Sequence, residues 1–287
     1  MPESETKYRP LVSVIIPTYN RSSWLIDAID SVLNQTFQDF ELIVVDDGST
    51  DETREIMVEY GDRIHYFYQS NRNPASARNL GIKKAKSDLI TFLDSDDRWL
   101  KGKLHAQINL MKDNPDVKIC YTDEIWIRRG VRVNQKKIHR KYSGWIYQKC
   151  LPLCIISPSS VMIHREVFDK VGLFDEDFLV CEDYDLWLRI SHLFPITFIN
   201  EPLIIKNGGH EDQLSHRLWG MDRFRVQALE KILQENSLSA DYRTATIDIL
   251  NNKCKILANG CFKRGKTEEA NYYLSVITRY SNSAESD

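Results

Sequence analysis

Leu89-Ile90-Thr91-Phe92-Leu93-Asp94-Ser95-Asp96-Asp97 decides the fold: five residues of strand type run straight into an acidic turn. A short, almost continuously apolar run reads as a strand buried on both faces, the kind found in parallel sheets covered by helices. The acids that stop it call for a chemical explanation. Carboxylates one residue apart at a strand end can face one cleft, where mutual repulsion raises their pKa values unless a cation offsets it. Asp94 and Asp96 are therefore candidate ligands of a divalent ion. Oxygen donors suit Mg2+ or Mn2+, ions that keep water and substrate phosphates in their shell.

The same pattern recurs upstream. Leu11-Val12-Ser13-Val14-Ile15-Ile16 ends at Pro17-Thr18-Tyr19-Asn20, and Glu41-Leu42-Ile43-Val44-Val45 ends at Asp46-Asp47-Gly48-Ser49. Residues 64–68 add another strand. Helical spacing fills the intervals at 25–33, at 51–60 with Ser49 or Thr50 as a cap, and at 74–85. The expectation is an α/β fold, a mostly parallel sheet flanked by helices, with the polar clusters gathered at the carboxyl edge where such sheets bind ligands. Each cluster alone is ordinary turn chemistry. Three at one edge point to a ligand. No Gly-rich loop ending in Gly-Lys-Ser/Thr follows the first strand, so a Walker-type phosphate site is not expected.

Downstream the spacing predicts a helix over 99–114, with Asp97 able to cap it, and a less regular section from residue 119. That section carries the basic run Arg128-Arg129 through Lys136-Lys137, His139, Arg140 and Lys141. It suits a hairpin or a mobile loop, either solvated or facing anionic lipid or a lipid-linked diphosphate. A strand at 160–163, helices at 166–171 and 183–193, and a strand at 202–205 follow. From Trp219 the chain reads as helical. Residues 258–277 resemble one tetratricopeptide-like hairpin of two short helices around Gly265, a packing element rather than a peptide-binding array. The expected organisation is a domain over 1–218, with a nucleotide-binding half at about 10–97 and an acceptor half at about 98–218. A C-terminal helical extension over 219–280 and a disordered tail at 281–287 complete it.

Composition narrows the function classes. With 287 residues, 42% hydrophobic and 28% charged, the chain can bury the core of an enzyme, and a net charge of -3 gives no bulk reason to bind nucleic acid. Met1 to Glu5 is polar, and no apolar run approaches the roughly 20 residues of a spanning helix. A soluble protein, with at most peripheral membrane contact, is expected. The six cysteines lack zinc-site spacing and are expected to be reduced and mostly buried.

Four strings now combine: Val14-Ile15-Ile16-Pro17-Thr18-Tyr19-Asn20, Val44-Val45-Asp46-Asp47-Gly48-Ser49-Thr50-Asp51, Ala75-Ser76-Ala77-Arg78-Asn79-Leu80-Gly81 and Phe92-Leu93-Asp94-Ser95-Asp96-Asp97. In order and spacing they closely resemble glycosyltransferase family 2, over roughly the first two hundred residues. The resemblance implies the GT-A fold and an inverting glycosyltransferase that takes a nucleotide-diphosphate sugar, with UDP the expected carrier. It implies Pro17, Thr18 and Asn20 as the nucleoside wall, Asp46 as the base contact and Arg78 as a cation near the pyrophosphate. Asp94, Ser95 and Asp96 would form the DXD motif, with Asp96 the direct ligand of Mn2+ or Mg2+.

Cys181-Glu182-Asp183-Tyr184-Asp185-Leu186-Trp187-Leu188-Arg189 resembles the family's second acidic motif. It implies Asp183 as general base and Glu182 as the residue that orients it or meets the acceptor, although acids at a helix start also suit the helix dipole. His210, in Gly208-Gly209-His210-Glu211-Asp212-Gln213, is a further metal or diphosphate ligand by the same resemblance, with His216 the alternative. Trp145 is the candidate platform for an acceptor sugar. The expected partners are a nucleotide-sugar donor and a glycan or lipid-linked acceptor of surface polysaccharide synthesis, in the cytoplasm or at the inner face of the membrane. A sugar nucleotidyltransferase would need a Gly-rich basic loop where Pro17-Thr18-Tyr19-Asn20 stands. A non-catalytic scaffold would not need the acidic motifs.

Overall fold

In the computed structural model, residues 9–209, 220–235 and 237–283 are described. Their strands are β1 (Val12–Thr18), β2 (Phe40–Asp46), β3 (His65–Tyr68), β4 (Leu89–Phe92), β5 (Arg98–Trp99), β6 (Ile119–Arg128), β7 (Val131–Val133), β8 (Val161–His164) and β9 (Thr197–Gly208). They form one sheet in the order β3-β2-β1-β4-β8-β6-β9-β5, with β7 paired to β6. Strands β1 to β4 are mutually parallel, and β8 runs against both β4 and β6. Two reversals make β6, and with it β9, parallel to β4. The carboxyl ends of all six therefore lie on one edge.

Helices α1 (Ser22–Leu33), α2 (Thr53–Tyr60) and α4 (Lys103–Asp113) cover one face, where Val12, Val14 and Ile16 meet Leu25, Ile29, Met57 and Ile108. On the other face lie α3 (Pro74–Lys84), the single turn α5 (Tyr147–Cys150), α6 (Arg165–Val171) and α7 (Glu182–Ser191). Ile15, Ile43 and Val45 point to this side. The alternation within β1 explains its unbroken apolar composition: successive side chains serve opposite cores.

The C-terminal helices α8 (Asp222–Gln234), α9 (Ala240–Phe262) and α10 (Thr267–Ser283) extend that second core instead of building their own. Leu229, Leu250 and Val276 belong to the same buried cluster as Leu186 and Trp187. Tyr147 and Thr246 share a hydroxyl hydrogen bond of 2.7 Å, and Lys253 donates to the Pro152 carbonyl at 2.8 Å. The boundary expected at 218–219 falls outside the described residues. The expected pair of short helices around Gly265 is instead the end of a 23-residue helix and the start of a 17-residue one, and α10 runs three residues into the expected tail.

Other expectations are corrected by tertiary pairing. The helix expected from Trp99 begins at Lys103, because Arg98 and Trp99 pair with β9 and Leu100 donates its N–H to Leu203. Asp97 caps nothing there; Gly102 precedes the helix without a side-chain cap. Neither Ser49 nor Thr50 caps α2. The N-cap is Glu52, which makes no side-chain cap bond; Asp51, one residue earlier, accepts from the N–H and hydroxyl of Thr53 at 3.2 and 2.6 Å. The section from residue 119 is a ten-residue strand whose register with β9 shifts on either side of Asp123, and residues 202–205 belong to the twelve-residue β9. The basic run opens as a hairpin: Arg128 pairs with Val131, and the two residues between, Arg129 and Gly130, have φ of +48° and +77°, as a two-residue primed turn requires.

Candidate active site

The first polar turn is built by interlocking loops. β1 ends at Thr18, whose buried hydroxyl has no hydrogen-bond partner among the described residues. Asn20 follows with φ +50°, a left-handed conformation that asparagine tolerates better than most residues. Its amide oxygen accepts the Thr50 N–H at 2.7 Å, and its own N–H reaches Ser49 Oγ at 2.9 Å. Asp46 holds the partner loop: Oδ1 accepts the Ser49 N–H at 2.8 Å and Oδ2 the Tyr66 hydroxyl at 2.7 Å. With 1% exposure, the Asp46 side chain is held by its own loop and by Tyr66. Gly48, at φ +87°, lies so close to Asn71 that a Cβ would come within 2.7 Å of its backbone nitrogen. Asp47 accepts from Gln69 and from the Arg72 N–H; burial nevertheless raises its pKa.

The acidic turn after β4 is held from two sides. Asp97 donates its N–H to the Asp94 carbonyl at 2.9 Å, closing the turn. Beneath it, Ser159 accepts the Asp94 N–H at 3.0 Å and donates its hydroxyl to Asp97 Oδ2 at 2.8 Å. Asn207 of β9 donates to the Asp96 carbonyl at 2.7 Å and, through its backbone, to Asp97 Oδ1 at 3.1 Å. Burial pushes the Asp97 carboxyl up to about 8, against the opposing pull of Lys206 at 3.7 Å. Ser95 is buried within the turn.

The two candidate metal ligands each meet an arginine. Arg21 Nη1 lies 2.5 Å from Asp96 Oδ2, and Arg78 Nη2 lies 2.7 Å from Asp94 Oδ1. The other terminal nitrogen of Arg78 reaches Glu182 Oε1 at 2.6 Å. Thus one buried guanidinium ties the acidic turn of β4 to the first residue of α7. Burial opposes the charge on Arg78, but Asp94 and Glu182 outweigh it and raise its pKa. Burial raises the Glu182 carboxyl, with Arg78 pulling the other way. Arg78 therefore joins both motifs.

Cys181, at φ +64°, turns the chain into α7, a strained conformation for a residue other than glycine or asparagine. Asp183 follows Glu182 and remains partly exposed. Its Oδ1 accepts the Tyr184 N–H at 2.7 Å, and the Cys154 thiol donates to Oδ2 at 3.3 Å. Burial and the nearby Asp183 carboxylate keep that thiol protonated. All six cysteines are free thiols, five of them buried.

Trp145 is not brought to the acidic turn. It follows Gly144, which bridges Ile196 at the foot of β9, and its side chain is 62% exposed. Through β8, Ile90 is in register with Ile119, so this foot lies about four residues, or ~13 Å along the strands, short of Asp94. His210 and His216 lie outside the described residues. Among the described residues no group of three or more His, Cys, Asp or Glu side chains is arranged for a metal. Asp94 and Asp96 still form a hard-oxygen pair that fits Mg2+ or Mn2+ when substrate oxygens complete the shell. Sequence reasoning missed Arg21, Ser159 and Asn207. Arg21 directly follows the Pro17-Thr18-Tyr19-Asn20 turn and was legible; Ser159 and Asn207 reach the turn only through the tertiary fold.

One sheet covered on both faces by helices, with two acidic motifs joined by one arginine on its carboxyl edge, is an architecture of the GT-A type. The family model for glycosyl transferase family 2 matches residues 13–172, more than half of the chain. The chain belongs to that family and is a glycosyltransferase. It is 37% identical over 217 residues to an uncharacterised glycosyltransferase of Rickettsia typhi, covering 74% of this chain and 68% of that one. It is 36% identical over 192 residues to the Escherichia coli UDP-Glc:alpha-D-GlcNAc-diphosphoundecaprenol beta-1,3-glucosyltransferase WfgD, covering 66% and 73%. The stretches shared with five Rickettsia relatives span 26 to 68% of their lengths. Among solved structures, Staphylococcus aureus TarS 1–349 in complex with UDP-GlcNAc superposes with a TM-score of 0.75 at 19% identity, over 94% of this chain and 81% of that one, a likeness of fold.

Proposed function

We propose that this glycosyltransferase moves a sugar from a nucleotide-diphosphate donor, with uridine the favoured nucleoside, to a hydroxyl of a glycan or lipid-linked acceptor, inverting the anomeric centre. The observation that carries the reading is Arg78, which holds Asp94 on the donor side and Glu182 on the acceptor side with two short ion pairs. Thr18 and Asn20 line the nucleoside wall beside Pro17, and Asp46 fixes the loop behind them. Asp94 and Asp96, in the turn that includes Ser95, would hold Mg2+ or Mn2+, with His210 as the further candidate ligand. The metal, when bound, supplies positive charge to the diphosphate that departs.

Asp183 is the general base. It takes the acceptor hydroxyl proton as that oxygen bonds to the anomeric carbon, while the bond from that carbon to the diphosphate oxygen breaks and its electrons leave with the nucleotide. Glu182, tied to Arg78, sets the start of α7 and so the position of Asp183. The polysaccharide setting, at the cytoplasmic face of a membrane, is supported by the lipid-linked acceptor in the name of the E. coli relative.

A panel of nucleotide sugars assayed with and without Mn2+ tests the class, and Asp183→Asn tests the base. Asn keeps the volume but cannot take the proton, so transfer is expected to fall by about 100-fold or more while donor binding and melting temperature hold. Near-parental transfer by a folded Asp183→Asn protein removes the assignment.

A further inference from the structure

We propose that the β6–β7 hairpin is a membrane-docking device that holds the open edge of the cleft against an anionic lipid surface. Between Glu124 and Glu166 the chain has no acidic residue, although its net charge is -3. Within that window Arg128, Arg129, Arg132, Lys136, Lys137 and Arg140 are exposed. None of the six forms an ion pair among the described residues; the next cation, Lys141, is the one that pairs with Glu124, at 3.3 Å. Val131 at 66% and Ile138 at 61% exposure stand among these charges. Cations beside bare aliphatic side chains fit a surface with anionic headgroups over hydrocarbon. The hairpin's aromatic rings are not open for stacking on bases, since Arg128 lies over Trp126 and Arg140 over Tyr142 at 5.8 and 5.5 Å.

Placement joins the patch to the site. In the strand register Thr91 corresponds through Met162 to Cys120, so Asp94 stands level with Asp123. Arg128 is five residues further along β6 on the same edge, one residue beyond the level at which the far end of the turn, Asp96 and Asp97, meets β9. Ile127 at the hairpin's base pairs with Asn207, whose side chain holds the Asp96 carbonyl. A hairpin resting on lipid therefore fixes how far the acidic turn stands from that surface. Delivery of a lipid-linked acceptor to the cleft rests on the proposed function; the docking itself does not.

The test is co-sedimentation of the full chain with phosphatidylcholine vesicles, alone or with one third phosphatidylglycerol. Binding is expected to the anionic vesicles only and to weaken as NaCl rises. Each cation near such a surface contributes about fivefold in affinity, so the combined variant Arg132→Gln, Lys136→Gln, Lys137→Gln, Arg140→Gln is expected to lose on the order of several hundredfold. Its melting temperature and its transfer to a water-soluble acceptor are expected to match the parent. Equal binding to both vesicle types, no binding to either, binding unmoved by the four substitutions, or capture by an RNA oligomer in place of vesicles overturns the proposal. Vesicle binding without turnover of any sugar nucleotide would overturn the proposed function and leave the docking standing; turnover without vesicle binding would do the reverse.

Discussion

At the scale of single residues, the acidic turn depends on a side chain buried beneath it. Ser159 is fully buried and uses one hydroxyl twice, for the Asp94 N–H and for Asp97 Oδ2. Ser159→Ala leaves both partners buried without it, which costs about 1–3 kcal/mol and loosens the turn that carries Asp94 and Asp96. The expected result is a roughly tenfold rise in the metal and donor concentrations needed for half-maximal transfer, with smaller loss at saturation. A metal titration of the variant that overlays the parent would show that Ser159 does not position the turn. Asp94, Asp96 and Asp183 stand out in the linear chain because carboxylates after apolar runs are conspicuous. Ser159 does not: in Ser157-Pro158-Ser159-Ser160 three serines look alike, and the packing of Trp99, whose Nε1 donates to the Ser159 carbonyl at 2.9 Å, singles one out.

At the scale of elements, α3 shows how a helix is brought close enough to the sheet for Arg78 to bridge two motifs. Asn73 caps it by accepting the Ser76 N–H at 2.8 Å, and Pro74 occupies its first turn. Gly81, one turn below Arg78, lies against β1, and a Cβ there would land on Ile15 Cγ2. Gly81→Ala gains up to ~1 kcal/mol in helix propensity but overpacks a core contact at a cost of ~1–3 kcal/mol. A net fall in melting temperature is expected, with reduced transfer as α3 and Arg78 shift outward. A variant that melts at or above the parent temperature would mean that Ile15 moves aside freely. Helices α1, α2 and α3 were legible from periodicity and punctuation. The strand at Trp99 was not, since two residues carry no period, and pairing with β9 outweighs their helical context.

At the scale of the whole molecule, one sheet carries two cores, and a lysine is sealed between them and solvent. Lys103 has no exposure; its Nζ donates to Thr91 Oγ1 and Gln107 Oε1 at 3.0 and 2.7 Å and sits 3.8 Å from the Trp99 ring centroid. Burial lowers its pKa well below 10.5, because two neutral acceptors and a ring face replace only part of an ammonium's hydration. The unfolded chain then binds a proton that the folded chain holds less well, so stability rises with pH from the depressed folded value up to 10.5. Within that window the parent is expected to gain about 1.4 kcal/mol per pH unit relative to Lys103→Met. Denaturant unfolding of both at pH 7.5 and 9.5 measures it; an unchanged difference would show that Lys103 keeps its full charge when folded.

The chain by itself determined the alternation of strands and helices, the carboxyl-edge acids and the membership these motifs carry, because periodicity, turn chemistry and motif spacing are local properties. Tertiary structure alone decided that Arg78 links the acidic turn after β4 to the start of α7, that Asp46 faces its own loop, and that the C-terminal helices complete the main core. It also brought a basic hairpin to the edge that carries the acidic turn. Each of these joins residues far apart in the chain, and such pairings follow from strand order and packing that no local pattern encodes. The acidic pair Asp94 and Asp96 was conspicuous from the start; that Arg78 pairs with the one and Arg21 with the other became visible only with the fold.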